Sequence, residues 1–157
     1  MAEADATFWA GMVLSLFGAA MMVGRFVSSA IKGLTTIGVR VIVVMSIVSL
    51  AAIILMIVTE TPGMAIVAIV LTGLAFAPIF PTVVGVTFAK FQSNLYGSIF
   101  GIIFAIGLLG GTFVPKYIGN LSAAGTVQGS MTIAAVMAGL LLVVALIMGA
   151  IGKAQSE

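Results

Sequence analysis

The chain has 157 residues, of which 62% are hydrophobic and 6% are charged, whereas a soluble domain carries about a quarter charged residues. It contains no Cys and no His, which excludes disulfides, thiolate nucleophiles and the usual metal and haem ligands. The net charge of +2 arises from ten charged side chains, too few for a nucleic-acid-binding surface. We therefore expect an all-α, multi-pass membrane protein that is not an enzyme and uses no cofactor or metal.

Charged and turn residues divide the chain into five apolar spans, each long enough for the ~20 residues of a transmembrane helix. Barrel strands are excluded because no ten-residue segments of alternating polarity occur. The connections are short and polar, so residues 1–157 are expected to form one transmembrane domain. The predicted helices cover residues 7–31, 39–58, 63–89, 96–119 and 128–152.

The positive residues predict the orientation, because cytoplasmic loops carry an excess of Lys and Arg. Five of the six flank the first connection, the third connection or the last span, namely Arg25, Lys32, Arg40, Lys90 and Lys153. Only Lys116 lies on the other side, with Glu3, Asp5 and Glu60. We expect a cell-membrane protein with its amino terminus outside and its carboxyl terminus in the cytoplasm. An odd number of spans that starts outside is what remains when a preceding helix is missing.

Small residues at four-residue spacing predict helix contacts, because helices in lipid associate through close backbone approach. The fourth span has Gly97 with Gly101 and Gly107 with Gly111, and the fifth has Ala135 with Gly139 and Ala145 with Gly149. In the first span the predicted contact stripe comprises Gly11, Ser15, Gly18, Met22, Arg25 and Ser29. Contacts within the chain and a dimer surface both remain open.

The third span contains two prolines in the segment "GLAFAPIFPTVVG", residues 73–85. Pro78 and Pro81 lack an N–H, which leaves the carbonyls of Leu74 and Ala77 without their usual donors and predicts a kinked or broken helix. A polar and aromatic stripe follows the same span, with Thr82 beside it: Thr72, Phe76, Phe80, Val83 and Thr87. This stripe lines a cavity or packs against neighbouring helices, with Thr82 or water satisfying the free carbonyls.

Four stretches, in this order, resemble the carboxyl-terminal half of a major facilitator superfamily transporter, particularly helices eight to twelve of the fucose-permease-like sugar branch. "FWAGMVLSLFGAAMMVGRF" is similar to helix eight and ends in the Gly24–Arg25 pair. "IKGLTTIGVR" resembles the cytoplasmic loop motif without its Asp, and "GLAFAPIFPT" resembles helix ten. "GIIFAIGLLGGTFVPKYIGNL" is similar to helix eleven, whose pattern is matched by Gly110, Gly111, Pro115 and Gly119.

This resemblance implies half of a solute transporter that works by alternating access, with a sugar-like substrate. The lipid bilayer surrounds it, and the missing half is supplied by a second copy or by a separate membrane chain. The cavity candidates by resemblance are Thr72, Phe76, Phe80 and Thr82. The candidates for gating or helix kinking are Arg25, Pro78, Pro81 and Pro115. For Arg25, a gate and simple snorkelling to the interface both remain open.

A second interpretation is a transporter-derived structural or assembly subunit of a larger membrane complex, without transport activity. It is favoured by the positions of the carboxylates, since proton-driven transporters usually need one within the membrane. All four lie in predicted tails or loops: Glu3, Asp5, Glu60 and Glu157.

Overall fold

The structure is a computed structural model that describes residues 3–31, 33, 36–125 and 127–154. Within these ranges the chain is helical and contains no strand. The helices are α1 (Glu3–Ala30), α2 (Gly38–Val58), α3 (Pro62–Phe76), α4 (Ile79–Phe88), α5 (Tyr96–Ala124) and α6 (Val127–Ala154), with a 3₁₀ turn at Ser93–Leu95. Five segments of this described chain are long and apolar enough to cross a membrane. The predicted all-α class and the prediction of five helical segments long and apolar enough to span a membrane are therefore confirmed for the described residues.

The third span, predicted at residues 63–89, covers Pro62–Phe88. It consists of α3 and α4, which are separated at Ala77 and Pro78, where the two prolines predicted a kink or break. The span begins with Pro62 at the first helical position. An N–H at this position would have no acceptor within the helix, so proline removes no hydrogen bond there. The fourth predicted span ended at residue 119, but α5 continues through Pro115 to Ala124.

Helix α2 lies at the centre of the bundle, where it packs against α3, α4 and α6. Helix α1 packs on α3, and α5 packs mainly on α6. The buried apolar cluster consists of Ile42 from α2, Ile79 from α4 and Ala145 from α6. The half-buried side chains packed against this cluster are Val43, Met45, Phe76, Val83 and Leu141.

The contact between α1 and α3 is made by small residues four apart on both helices. A Cβ built on Gly24 would lie 2.6 Å from the Cβ of Ala77, and one built on Gly73 would lie 3.1 Å from the Cβ of Ala20. Ala20 meets Gly73, and four residues later in both segments Gly24 meets Ala77, so α1 and α3 run parallel. Only small side chains at these positions allow this backbone approach.

The predicted contact stripe of α1 is therefore wrong for the contacts within this chain. Gly11 and Gly18 are exposed, and a Cβ on either would meet nothing within 4 Å. Small residues occur on two faces of α1, and spacing alone cannot tell which face meets α3. The face that packs carries Ala20 and Gly24.

Helix α5 makes no close contact through its glycines. None of its residues is buried, and Cβ atoms built on its glycines would meet nothing within 4 Å; these are Gly97, Gly101, Gly107, Gly110, Gly111 and Gly119. On α6, Ala145 is buried and a Cβ on Gly149 would lie 3.5 Å from Val39. The carboxyl-terminal pair of α6 thus faces α2, as its spacing predicted, whereas a Cβ on Gly139 would meet nothing within 4 Å.

Three of the described positive residues lie toward one end of the bundle, namely Arg25, Arg40 and Lys90. Gly38, at the start of α2, faces Thr82 and Val86 of α4, and the ring of Phe88 stacks on that of Tyr96. Arg40 and Lys90 belong to this end, whereas Glu60 belongs to the opposite end. Lys32 lies outside the described residues, and for Lys153 the structure describes only the helical backbone.

Candidate functional site

The break between α3 and α4 is a mild distortion of a helical path. Ala77 has φ −54° and ψ −49°, and Pro78 has φ −80° and ψ −15°, both in the right-handed helical region. The N–H of Ala77 donates to the carbonyl of Gly73 over 3.2 Å, and the N–H of Thr82 donates to that of Pro78 over 3.1 Å. The two proline nitrogens carry no hydrogen, so the carbonyls of Leu74 and Ala77 lose their donors four residues on. The predicted local break is confirmed.

Two open grooves meet at Arg25 beside this break. The smaller groove, with a volume of about 200 Å³, lies between the end of α1 and the start of α4 and is lined by Arg25, Ser28, Ser29, Phe80 and Pro81. The larger groove, of about 460 Å³, follows the exposed face of α1 and is lined by Gly18, Met21, Met22, Arg25, Phe26 and Ser29. We call them the break groove and the α1 groove.

The structure brings only part of the predicted cavity set to these grooves. Phe80 lines the break groove and is 39% exposed, and Pro81 lies beside it. Phe76 is half-buried against the apolar cluster. Thr72 is buried, and its Oγ1 donates to the carbonyl of Ala68 over 2.7 Å.

Thr82 is buried as well, with only 1% of its surface exposed. A Cβ on Gly38 would lie 3.1 Å from the Cγ2 of Thr82, so this side chain faces α2. Its Oγ1 has no hydrogen-bond partner among the residues that the structure describes. Thr72, Phe76 and Thr82 therefore lie in helix contacts and are not brought together with Phe80.

Helical geometry explains this division. Successive residues turn by about 100°, so Phe80 points roughly 80° away from Thr72 even in a straight helix. The predicted stripe of 3.6-residue periodicity is therefore about 80° wide, with Phe80 at one edge exposed and Thr72 at the other edge buried.

Sequence reasoning did not single out an aromatic row on α4 and α5. The rings of Phe80 and Phe104 meet edge to face with centroids 6.5 Å apart, and Phe104 stacks on Phe100 at 5.5 Å. All three side chains are partly exposed. The four-residue spacing of Phe100 and Phe104 could have placed these two on one face of α5, but nothing in the sequence shows that Phe80 joins them.

Among the described residues that line the two grooves, Arg25 is the only charged one. Ser28 and Ser29 are adjacent, but their Oγ atoms donate within α1, to the carbonyls of Arg25 at 3.0 Å and Phe26 at 2.7 Å. No carboxylate is among the described residues that line the grooves, so these residues give Arg25 no counter-ion.

Comparisons with protein-family models, curated proteins and solved structures gave no match to this chain. Its relationship to the major facilitator superfamily therefore stays a prediction from the four sequence stretches.

Proposed function

We propose that the chain is a half-transporter of major facilitator type, in which α3 and α4 form the helix that bends during alternating access. The observation that carries this proposal is the break at Pro78, inside an apolar span and next to a groove. Irregular backbone at membrane depth is tolerated where it is packed in protein or lines a cavity. Here the break meets both conditions, since Pro78 is buried and Pro81 lines the break groove.

The solute-facing surface in this proposal is the aromatic row together with the Phe80 and Pro81 side of the break groove. Aromatic rings can stack on the apolar face of a sugar, which supports a sugar-like solute as the substrate class. Phe80 is the residue we assign to this contact, because it belongs to both features. The resemblance places a second half over this surface, and the exposed glycines of α5 allow a close approach there.

Uptake measurements test this proposal. The chain is extracted gently with any associated chains, reconstituted into vesicles and assayed with radiolabelled L-fucose as the sugar probe. We expect saturable uptake that falls at least roughly tenfold in Phe80→Ala, equivalent to the loss of about 1.4 kcal/mol of binding. The matched control is Phe113→Ala, a more exposed Phe on α5 outside the aromatic row. Equal uptake in both variants, or none above empty vesicles in the unmodified protein, would contradict the proposal.

A structural or assembly subunit is the second candidate. It is favoured by the burial of Thr72 and Thr82, which leaves the hydroxyls expected to bind a solute inside helix contacts. It predicts stoichiometric association with membrane chains unrelated to transporters and no L-fucose binding by equilibrium dialysis.

A further inference from the structure

We infer that the α1 groove binds an anionic glycerophospholipid, with the headgroup phosphate at Arg25 and an acyl chain along Gly18, Met21, Met22 and Phe26. This inference concerns the lipid that surrounds the protein and does not depend on solute transport. It rests on the charge, the depth and the shape of the groove.

The charge of the groove requires an anion. Arg remains protonated at any physiological pH, and an Arg inside a membrane span is costly without a partner. Arg25 lies in the span Thr7–Ala30 and is exposed. In the part of the chain that the structure describes, neither groove that meets at Arg25 has a carboxylate in its lining, and Glu60 lies at the other end of the bundle. The described lining residues therefore supply no counter-ion.

Arg25 lies close enough to the end of its span to reach a lipid phosphate. It lies five residues before Ala30, which corresponds to about 7.5 Å along the helix axis. A long Arg side chain on this turn can extend to the headgroup level while its methylenes stay in the apolar region. Arg40 and Lys90, at the same end of the bundle, add to the attraction for anionic lipid.

The shape of the groove suits an acyl chain. Gly18 lines it, and a Cβ there would meet nothing within 4 Å, so the missing side chain leaves room against the helix. Met21, Met22 and Phe26 also line it, and flexible Met side chains adapt to an apolar chain. Ser29 lies beside Arg25 and can turn its hydroxyl from the carbonyl of Phe26 to a phosphate oxygen.

Lipid selectivity is measured with the full chain reconstituted in phosphatidylcholine bilayers. Spin-labelled phosphatidylglycerol and spin-labelled phosphatidylcholine serve as probes, and the immobilised fraction of each gives its relative association constant. We expect phosphatidylglycerol to be preferred over phosphatidylcholine roughly fivefold, because one Lys or Arg near an anionic lipid changes the association constant by about that factor. Arg25→Gln should remove most of the preference, whereas Arg40→Gln, which removes an exposed charge outside the groove, should leave most of it.

A second pair of variants tests the acyl-chain contact without changing charge. Gly18→Leu fills the groove at this position and should lower the preference, whereas Gly11→Leu, on an equally open position of α1, should not. Both variants should unfold at the same temperature, which would show that a lowered lipid preference does not result from unfolding. A preference that survives either Arg25→Gln or Gly18→Leu would overturn the inference. So would cross-links from Met22 to another protein chain in place of lipid.

Discussion

Gly24 of α1 lies directly against the backbone of Leu74, the residue whose carbonyl loses its donor to Pro78. A Cβ on Gly24 would lie 3.3 Å from that carbonyl oxygen and 2.6 Å from the Cβ of Ala77. The close approach of α1 and the distortion of the third span thus occur at the same level. A glycine there lets α1 pack over the free carbonyl and shield it from lipid, where an unsatisfied polar group is costly.

We expect Gly24→Ala to destabilise the bundle by about 1–3 kcal/mol, because the new methyl overpacks the contact with Ala77. Thermal unfolding in detergent checks this result. Gly11→Ala is the control, since its methyl meets nothing within 4 Å and alanine favours a helix. Adding Ala77→Gly should recover part of the loss, so the pair should couple in a double-mutant cycle. Equal unfolding temperatures for Gly24→Ala and Gly11→Ala would show that the helices do not pack here.

Thr82→Val should raise the free energy of unfolding by about 1 kcal/mol. The hydroxyl of Thr82 is buried without a described partner, and valine fills nearly the same volume without the desolvation cost. Chemical unfolding measures the change. Thr72→Val is the control, because it removes a hydroxyl that does donate, to the carbonyl of Ala68, and should give no such gain. A loss of L-fucose binding in Thr82→Val with unchanged stability would instead assign Thr82 to the solute site.

Pro78→Ala should straighten the third span, since residue 78 gains an N–H for the carbonyl of Leu74. The change is read from the distance between spin labels at Gly63→Cys and Ala89→Cys, which are exposed and lie near opposite ends of this span. The native chain has no Cys, so the labels are specific. We expect a longer distance after Pro78→Ala and no change after Pro62→Ala, where the proline begins α3. An unchanged distance after Pro78→Ala would mean that packing, not the missing N–H, sets the bend.

The orientation predicted from charge can be tested by labelling single cysteines with a membrane-impermeant maleimide. Glu60→Cys and Asn94→Cys are exposed positions in connections at opposite ends of the bundle. In intact cells we expect labelling of the first from outside and labelling of the second only after permeabilisation. The reverse pattern would show that the orientation is opposite to the predicted one, with Arg25 on the side of the outer leaflet.

The sequence predicted the features that depend on local chemistry. Hydropathy and length located the five spans, and the missing N–H of Pro78 predicted the break. The sequence could not show which face of α1 contacts α3, because Gly18 and Gly24 are both small residues in the same apolar span. That choice depends on Gly73 and Ala77, more than forty positions away. For the same reason, the sequence did not reveal that α2 covers Thr82 while Phe80 meets Phe104.

The most direct test of the half-transporter proposal is native mass spectrometry of the protein extracted gently from its own membrane. We expect a homodimer, or a pair with a membrane chain of six or seven helices that covers the aromatic row. A large assembly with unrelated subunits, or a lone monomer, would contradict it.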